Sequence, residues 1–440
     1  MSAALLTDFY ELTMAHAYFE LDMHEIAVFE LFVRRLPDTR RFLIAAGLAQ
    51  ALEYVERLRF TEEDLEFLAE LGSFPKRFLD HLRGLRFTGS IHAMPEGTPC
   101  FADEPILRVT APILEAQLLE SRLLNIVHFQ TLIASKAARC VLAARGRRLV
   151  DFGMRRAHEA EAGILAARAA YLAGFDATAT VEAARRFGIP LSGTLAHSFI
   201  EAHDDEEAAF RHFVRTRPDA TLLIDTYDTE RAAGRVAHLA QSLRAAGSDR
   251  RIRSVRIDSG DLAAQSRAVR TILDARGCPD IQIVLSGGLD EQEIDALVSG
   301  GAPVDAFGVG TALDVSSDAP ALDMAYKLQA YAGKPRRKLS PGKATWPGAK
   351  QVYRKRGATG ECLGDQLTLA EEIAEGHPLL AAVMDEGRCL GSQVPLGKIR
   401  ERCREGLRLL PADVTDLSAG PSPYPVRRSD ALEALALRIG

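Results

Sequence analysis

The stretch VRIDSGDLAAQSRAVRTILDARGCPDIQIVLSGGLD, residues 255–290, holds one complete structural unit and the start of the next. An apolar run breaks off in Asp258-Ser259-Gly260, a helix-like stretch follows from Asp261 to Gly277, and a second apolar run breaks off in Ser286-Gly287-Gly288. Short apolar runs that lack alternation are the mark of strands buried on both faces, and a helix between two of them predicts a parallel pairing. Working outward, the same design recurs in LVDFGMRR (149–156), SGTLAHS (192–198), TLLIDTYD (221–228) and DAFGVGT (305–311), each ending abruptly in polar or glycine residues. The fold class that follows is α/β, with a TIM-like β/α barrel that is irregular because only about six units are legible.

Active sites of such barrels are assembled at the C-terminal ends of several strands, and the last turns are where a phosphate is most often held. Both late turns here are glycine-rich, Ser286-Gly287-Gly288 and Gly308-Val309-Gly310-Thr311. Glycine lets the backbone approach an oxyanion closely, and a helix start offers it unpaired N–H groups. Glycine also ends strands for purely structural reasons, so the two loops together carry the phosphate reading. Arg155, Arg156 and Arg256 fall at the same rim. Their guanidinium forks suit carboxylate and phosphate oxygens, against the plainer alternative of ion pairs with Asp151 or Asp258. Three at one rim favour a multiply anionic ligand.

Asp258 and Asp261 are candidates for sugar hydroxyls or a metal, with a helix cap the better reading of Asp261. A lone histidine is usually a packing or hydrogen-bonding group, but His197 lies among small and hydroxyl-bearing neighbours, Ser192, Gly193, Thr194 and Ser198, which raises the case for a working imidazole. A metal site from His197, His203, Asp204 and Asp205 is weaker than an acidic, capped helical turn over HDDEE (203–207).

The flanking sequence has a different texture. Residues 5–21 have helical spacing, IAVFELFVRR (26–35) is β-rich, and 41–85 are helical with Thr61 before Glu62 and Glu63 as a helix start. Residues 87–112 alternate as a small antiparallel unit outside the barrel, and 113–146 return to helical periodicity. PSPYPVRRS (421–429) predicts an extended, proline-stiffened strap. The expected division is an N-terminal α/β domain over 1–112, the barrel over 113–330 and C-terminal segments over 331–440.

A net charge of −6 and a pI near 6.0 supply no electrostatic footprint for nucleic acid or an anionic membrane. The six cysteines lack C-x-x-C spacing, which points to reduced, mostly buried thiols in a cytoplasmic protein. The opening MSAALLTDFYELTM has no early Lys or Arg and reads as neither signal nor transit peptide, and no apolar run suits a membrane span.

Taken in order, LLTDFYELTMA (5–15), DFGMRRAH (151–158), GTLAHSF (193–199), VRIDSGDL (255–262), the GGLD and GVGT loops and KLSPGKATWPGAKQVYR (338–354) make the chain resemble the nicotinate phosphoribosyltransferases along nearly its whole length. The resemblance implies a barrel beside an N-terminal α/β domain completed by C-terminal segments, and a homodimer with shared active sites. It implies that ATP phosphorylates His197, that Thr194 and Arg256 contact nicotinate, and that Phe152 and Arg155 flank the ring or the phosphoribosyl group. Tyr10 would reach the pocket of the neighbouring subunit, Asp258 would face the ribose, and Gly288, Gly310 and Thr311 would hold the 5-phosphate. Ser198, beside His197, is a further substrate-binding candidate. The substrates implied are nicotinate, 5-phosphoribosyl 1-diphosphate and ATP, with Mg²⁺ as cofactor.

The residues suit that chemistry. A pyridine nitrogen is largely unprotonated at neutral pH and needs no strong base, while the departing diphosphate asks for fixed cations and backbone dipoles. An anionic carboxylate asks for a matching Arg, which a neutral amide does not. The rivals are a nicotinamide or quinolinate phosphoribosyltransferase and a non-catalytic metabolite-binding barrel.

Overall fold

Six parallel strands form the sheet of the segment Lys136–Asp318: β1 (Arg148–Asp151), β2 (Ala177–Thr178), β3 (Asp219–Leu223), β4 (Arg251–Ile257), β5 (Gln282–Leu285) and β6 (Ala306–Val309). In this computed structural model, which describes residues 3–439, their order across the sheet is β2-β1-β6-β5-β4-β3. Val255, Ile257, Ile283, Leu285, Phe307 and Val309, at alternate and paired positions, are wholly buried on one face of β4, β5 and β6, while the other face carries Ser254, Arg256, Val284 and Gly308. Four of the helices between strands start on aspartate caps. Asp205 accepts from the Ala208 N–H at 3.0 Å, Asp228 from Arg231 at 2.9 Å, Asp261 from Ala264 at 2.9 Å and Asp290 from Gln292 at 2.7 Å. The capping readings of Asp261 and of the HDDEE turn therefore hold.

Two sequence expectations change here. SGTLAHS is not a strand: after a single parallel bridge between Thr178 and Leu191 it runs as coil to the short helix His197–Glu201. Pro190 lacks the N–H that a ladder needs, and the apolar run is only Thr194-Leu195-Ala196 long. The second strand is instead Ala177–Thr178, too short to stand out in the sequence. The sheet also stops short of the closed ring of a regular barrel. It is a curled parallel half-barrel with β2 and β3 at its edges.

Within the same unit, Glu291 at the start of helix Glu291–Ser299 receives Arg139 Nε at 2.9 Å and pairs with Lys136, whose Nζ also lies 3.0 Å from Asp318. All but Asp318 are essentially buried. A buried cation pair sharing one carboxylate tolerates the loss of no member.

The second unit joins Met1–Ser135 to Ala319–Gly440, so the division falls at 135/136 and 318/319 where the sequence suggested 112/113 and 330/331. The reason is strand pairing. Ile26–Val33 bonds antiparallel to Pro105–Pro112 on one side and to Met324–Tyr331 on the other, drawing 324–331 out of the barrel segment. The antiparallel unit expected over 87–112 is thus the middle of a seven-stranded sheet, whose far edge is supplied by Ala381–Asp385 and Arg388–Cys389. Thr61 starts helix Glu62–Glu70 through a capping box with Asp64. Val426–Arg428 of the proline-rich strap adds in parallel to strand Cys362–Leu369. The six cysteines are free, five of them buried, and no described helix is long and apolar enough to cross a membrane.

Candidate active site

Arg256 sits one residue before the end of β4, beside Val284 of β5, with its side chain mostly buried. One terminal nitrogen donates to the Thr194 hydroxyl, and the other lies 3.9 Å from Asp258. Nε is buried with no protein acceptor. Burial pulls the guanidinium below its ordinary basicity, Asp258 and Asp225 oppose that, and nearby Arg155 adds to it. It remains a cation at any physiological pH. A buried donor without an acceptor is costly unless a ligand supplies one.

The Phe152 ring lies 5.9 Å from the Arg256 guanidinium carbon. Phe152 follows β1, and its N–H bonds the Val309 carbonyl of β6 at 2.8 Å. That ring occupies the space over Gly308: a Cβ there would sit 2.4 Å from the ring carbons and 3.2 Å from Ser286 Cβ. Glycine at 308 is therefore what lets an aromatic ring lie against the sheet end. Arg155 and Arg156 sit exposed in the single turn Met154–Arg156 that follows.

Asp258 accepts the Ser286 hydroxyl, and its backbone N–H donates to Asp225 at 2.9 Å. Asp225 also takes the Ser259 hydroxyl at 2.6 Å, while its other oxygen is buried with no donor. Gly287, at φ +94°, packs so tightly on the Asp258 carbonyl that a Cβ would fall 1.8 Å from that oxygen. Gly288, at φ +68°, is exposed at the turn, and Gly310-Thr311 open the short helix Thr311–Asp314. His197 Nδ1 lies 3.1 Å from the Thr226 hydroxyl, next to Asp225 on the loop after β3. Ser198 is exposed beside it.

The rim thus gathers Phe152, Arg155, Thr194, His197, Arg256, Asp258 and the two glycine turns at one end of the sheet. Tyr10 belongs to the other unit, exposed on helix Phe9–Glu20, its phenol made less acidic by burial and by the charges of Glu120, Glu11 and Asp8. His203 turns away into a contact with His212, its Nε2 at 3.1 Å from Nδ1, and no group of three or more metal donors exists among the described residues. Two contributors carry too little signal to be singled out in the sequence. Asp225 and Thr226 stand at a strand end notable only for its pattern, in the same relation to β3 as Asp258 and Ser259 to β4.

Two family models cover most of the chain: the nicotinate phosphoribosyltransferase (NAPRTase) N-terminal domain over residues 5–128 and the NAPRTase family over 147–334. The chain belongs to the nicotinate phosphoribosyltransferase family. A nicotinate phosphoribosyltransferase of Mycobacterium tuberculosis is 49% identical over 99% of this chain and 94% of its own. One from Bacillus subtilis is 44% identical over 80% of this chain and 73% of its own. The crystal structure of human nicotinic acid phosphoribosyltransferase superposes with a TM-score of 0.87 at 29% identity, covering 99% of both chains.

Proposed function

We propose that the protein joins the ring nitrogen of nicotinate to C1 of 5-phosphoribosyl 1-diphosphate, giving nicotinate mononucleotide and pyrophosphate for NAD biosynthesis. The observation that carries this reading is the unpartnered, buried Nε of Arg256 between Thr194 and the Phe152 ring. An aromatic ring bearing a carboxylate fits that setting, with the ring against Phe152 and the carboxylate on Arg256 and Thr194. Quinolinate would bring a second carboxylate, and nicotinamide would leave the guanidinium without its counter-charge.

The chemistry asked of the protein is mainly positioning and charge stabilisation. Gly288, Gly310 and Thr311 hold the 5-phosphate on backbone N–H groups, and Arg155 takes phosphoribosyl oxygens. Asp258, steered by Ser286, takes ribose hydroxyls and stabilises the oxocarbenium-like transition state. Mg²⁺ supplies neutralisation of the departing diphosphate. Asp225, with its free buried oxygen, and Asp258 are the carboxylates that would hold it. With Nδ1 of His197 occupied by Thr226, Nε2 is left to take a phosphoryl group from ATP. Coupling to ATP works because the phosphorylated state binds phosphoribosyl diphosphate more tightly.

The half-barrel sheet belongs in this reading to an irregular TIM-like barrel, and the enzyme to the cytoplasm as a homodimer in which Tyr10 reaches the partner's pocket. The exposed apolar side chains of Leu6, Phe9 and Tyr10 support a covered surface there. The test is incubation with nicotinate, phosphoribosyl diphosphate and Mg²⁺, with and without ATP, and mass detection of nicotinate mononucleotide. Nicotinamide and quinolinate run in parallel. Preference for either rival substrate would overturn the role given to Arg256.

A further inference from the structure

Behind the ring-binding loop lies a pair of carboxyl groups with no assigned task. Asp151, at the end of β1, is buried and uses both oxygens as acceptors. Oδ1 takes the Gly153 N–H at 2.8 Å and Oδ2 the Thr178 hydroxyl at 2.7 Å. Asp314 closes the short helix that begins at Gly310-Thr311. Its two oxygens are buried without a single donor from the protein. Its carboxyl carbon presses on Gly153, where a Cβ would come within 2.1 Å of it. A carboxylate is an acceptor only, and burying one without donors is prohibitive. The neutral acid escapes this by donating its own proton, and the acceptor at hand is Asp151, which has a lone pair to spare.

We propose that Asp314 is the protonated half of an acid–carboxylate pair with Asp151, and that this pair is the clasp tying the loop Phe152–Arg156 to the turn Gly308–Thr311. Asp314 is then a positioning residue, acting through the two segments that present Phe152, Arg155, Gly310 and Thr311. Its environment agrees: burial and then the charge of Asp151 push it up to about 9, while the donors from Thr178 and Gly153 restrain Asp151 against the upward push of burial. The turn Met154–Arg156 and helix Ala160–Ala173 pack against the short helix and carry Arg155, Arg156, Glu161 and Arg168. Arg155 and Arg156 are exposed, Glu161 is exposed at its helix start, and Arg168 lies over the Phe187 ring at 5.8 Å. Among the described residues, Asp151 is the one charge acting on Asp314. Losing the proton would set two carboxylates against each other and part the two segments.

The substrate effects rest on the nicotinate reading above; the protonation itself does not, and the test separates the two. Difference infrared spectra of the substrate-free protein between neutral pH and pH 10 should show the loss of a protonated-carboxyl C=O band on ionisation, and that loss should be missing from D314N. In nicotinate turnover, wild-type KM for nicotinate and for phosphoribosyl diphosphate should climb about tenfold per pH unit beyond the ionisation. D314N, which offers Asp151 an N–H donor at every pH, should keep both values flat over that range, and D314A should hold them high at neutral pH. Absence of the infrared band in wild type would overturn the proposal, as would D314N values that climb with the wild-type course. The wild-type spectra need no variant, so the proposal stays open to refutation even if D314N misfolds.

Discussion

Replacing Arg256 separates carboxylate recognition from every other role at this rim. In the folded protein one guanidinium nitrogen is held by Thr194, a second lies 3.9 Å from Asp258, and Nε is buried and unbonded. The side chain is therefore pre-aimed, and little rearrangement is needed to meet an anion. Truncating a buried cation that hydrogen-bonds a counter-charge costs ~2–5 kcal/mol. At about 1.4 kcal/mol per decade, R256A should lower kcat/KM for nicotinate roughly 30- to 3,000-fold. R256K keeps the charge but not the planar fork, and should fall between. Nicotinamide, which offers no carboxylate, should lose far less with the same substitutions, so the nicotinate-to-nicotinamide ratio collapses. The assay is steady-state formation of each mononucleotide by mass, with circular dichroism to verify folding. Equal losses for both substrates would refute the reasoning, because Arg256 would then serve the ring or the ribose and not the acid group.

H197A should break the link between ATP hydrolysis and product, read as ADP formed per nicotinate mononucleotide; an unchanged ratio excludes the phosphoryl-acceptor role. G308A drives a Cβ into the Phe152 ring, where 2.4 Å is available, and should weaken nicotinate binding roughly tenfold or more while sparing the fold. E291A leaves Lys136 and Arg139 without their shared buried carboxylate and should cost about 3–5 kcal/mol, seen as an earlier urea midpoint. Asp314 makes stability pH-dependent with a defined sign. The unfolded chain ionises it near the ordinary 3.8 and the folded chain near about 9, so between them the folded state holds the extra proton. Stability contributed there is fullest below the lower value and is lost as the pH rises toward the upper. The slope is ~1.4 kcal/mol per pH unit, so D314N should gain on wild type by about 4 kcal/mol between pH 5 and pH 8. Unfolding midpoints at the two pH values test it; a constant difference would remove the proton from Asp314.

Much of this molecule is legible in one dimension because its physics is local. A buried strand shows as a short apolar run, a helix start as an Asp just before it, and a tight turn at positive φ as Gly-Gly, so β5, Asp261, Asp290 and Gly287-Gly288 can be read directly. Arg256, Asp258 and His197 stand out for the same reason: a polar residue terminating an apolar run needs an explanation. Contacts formed between distant segments leave no such trace. SGTLAHS looks like a strand because its partner, which decides whether a ladder forms, lies elsewhere in the chain. Met324–Tyr331 joins the other unit because Ile26–Val33 has an open edge to fill. Asp314 is one Asp among many until the fold carries it onto Gly153 and away from every donor, and only burial makes the state of its proton a functional matter. Sequence alone thus determined which residue types stand at the sheet's rim. The tertiary structure decided which of them share hydrogen bonds and protons, since desolvation and distance have no counterpart along the chain.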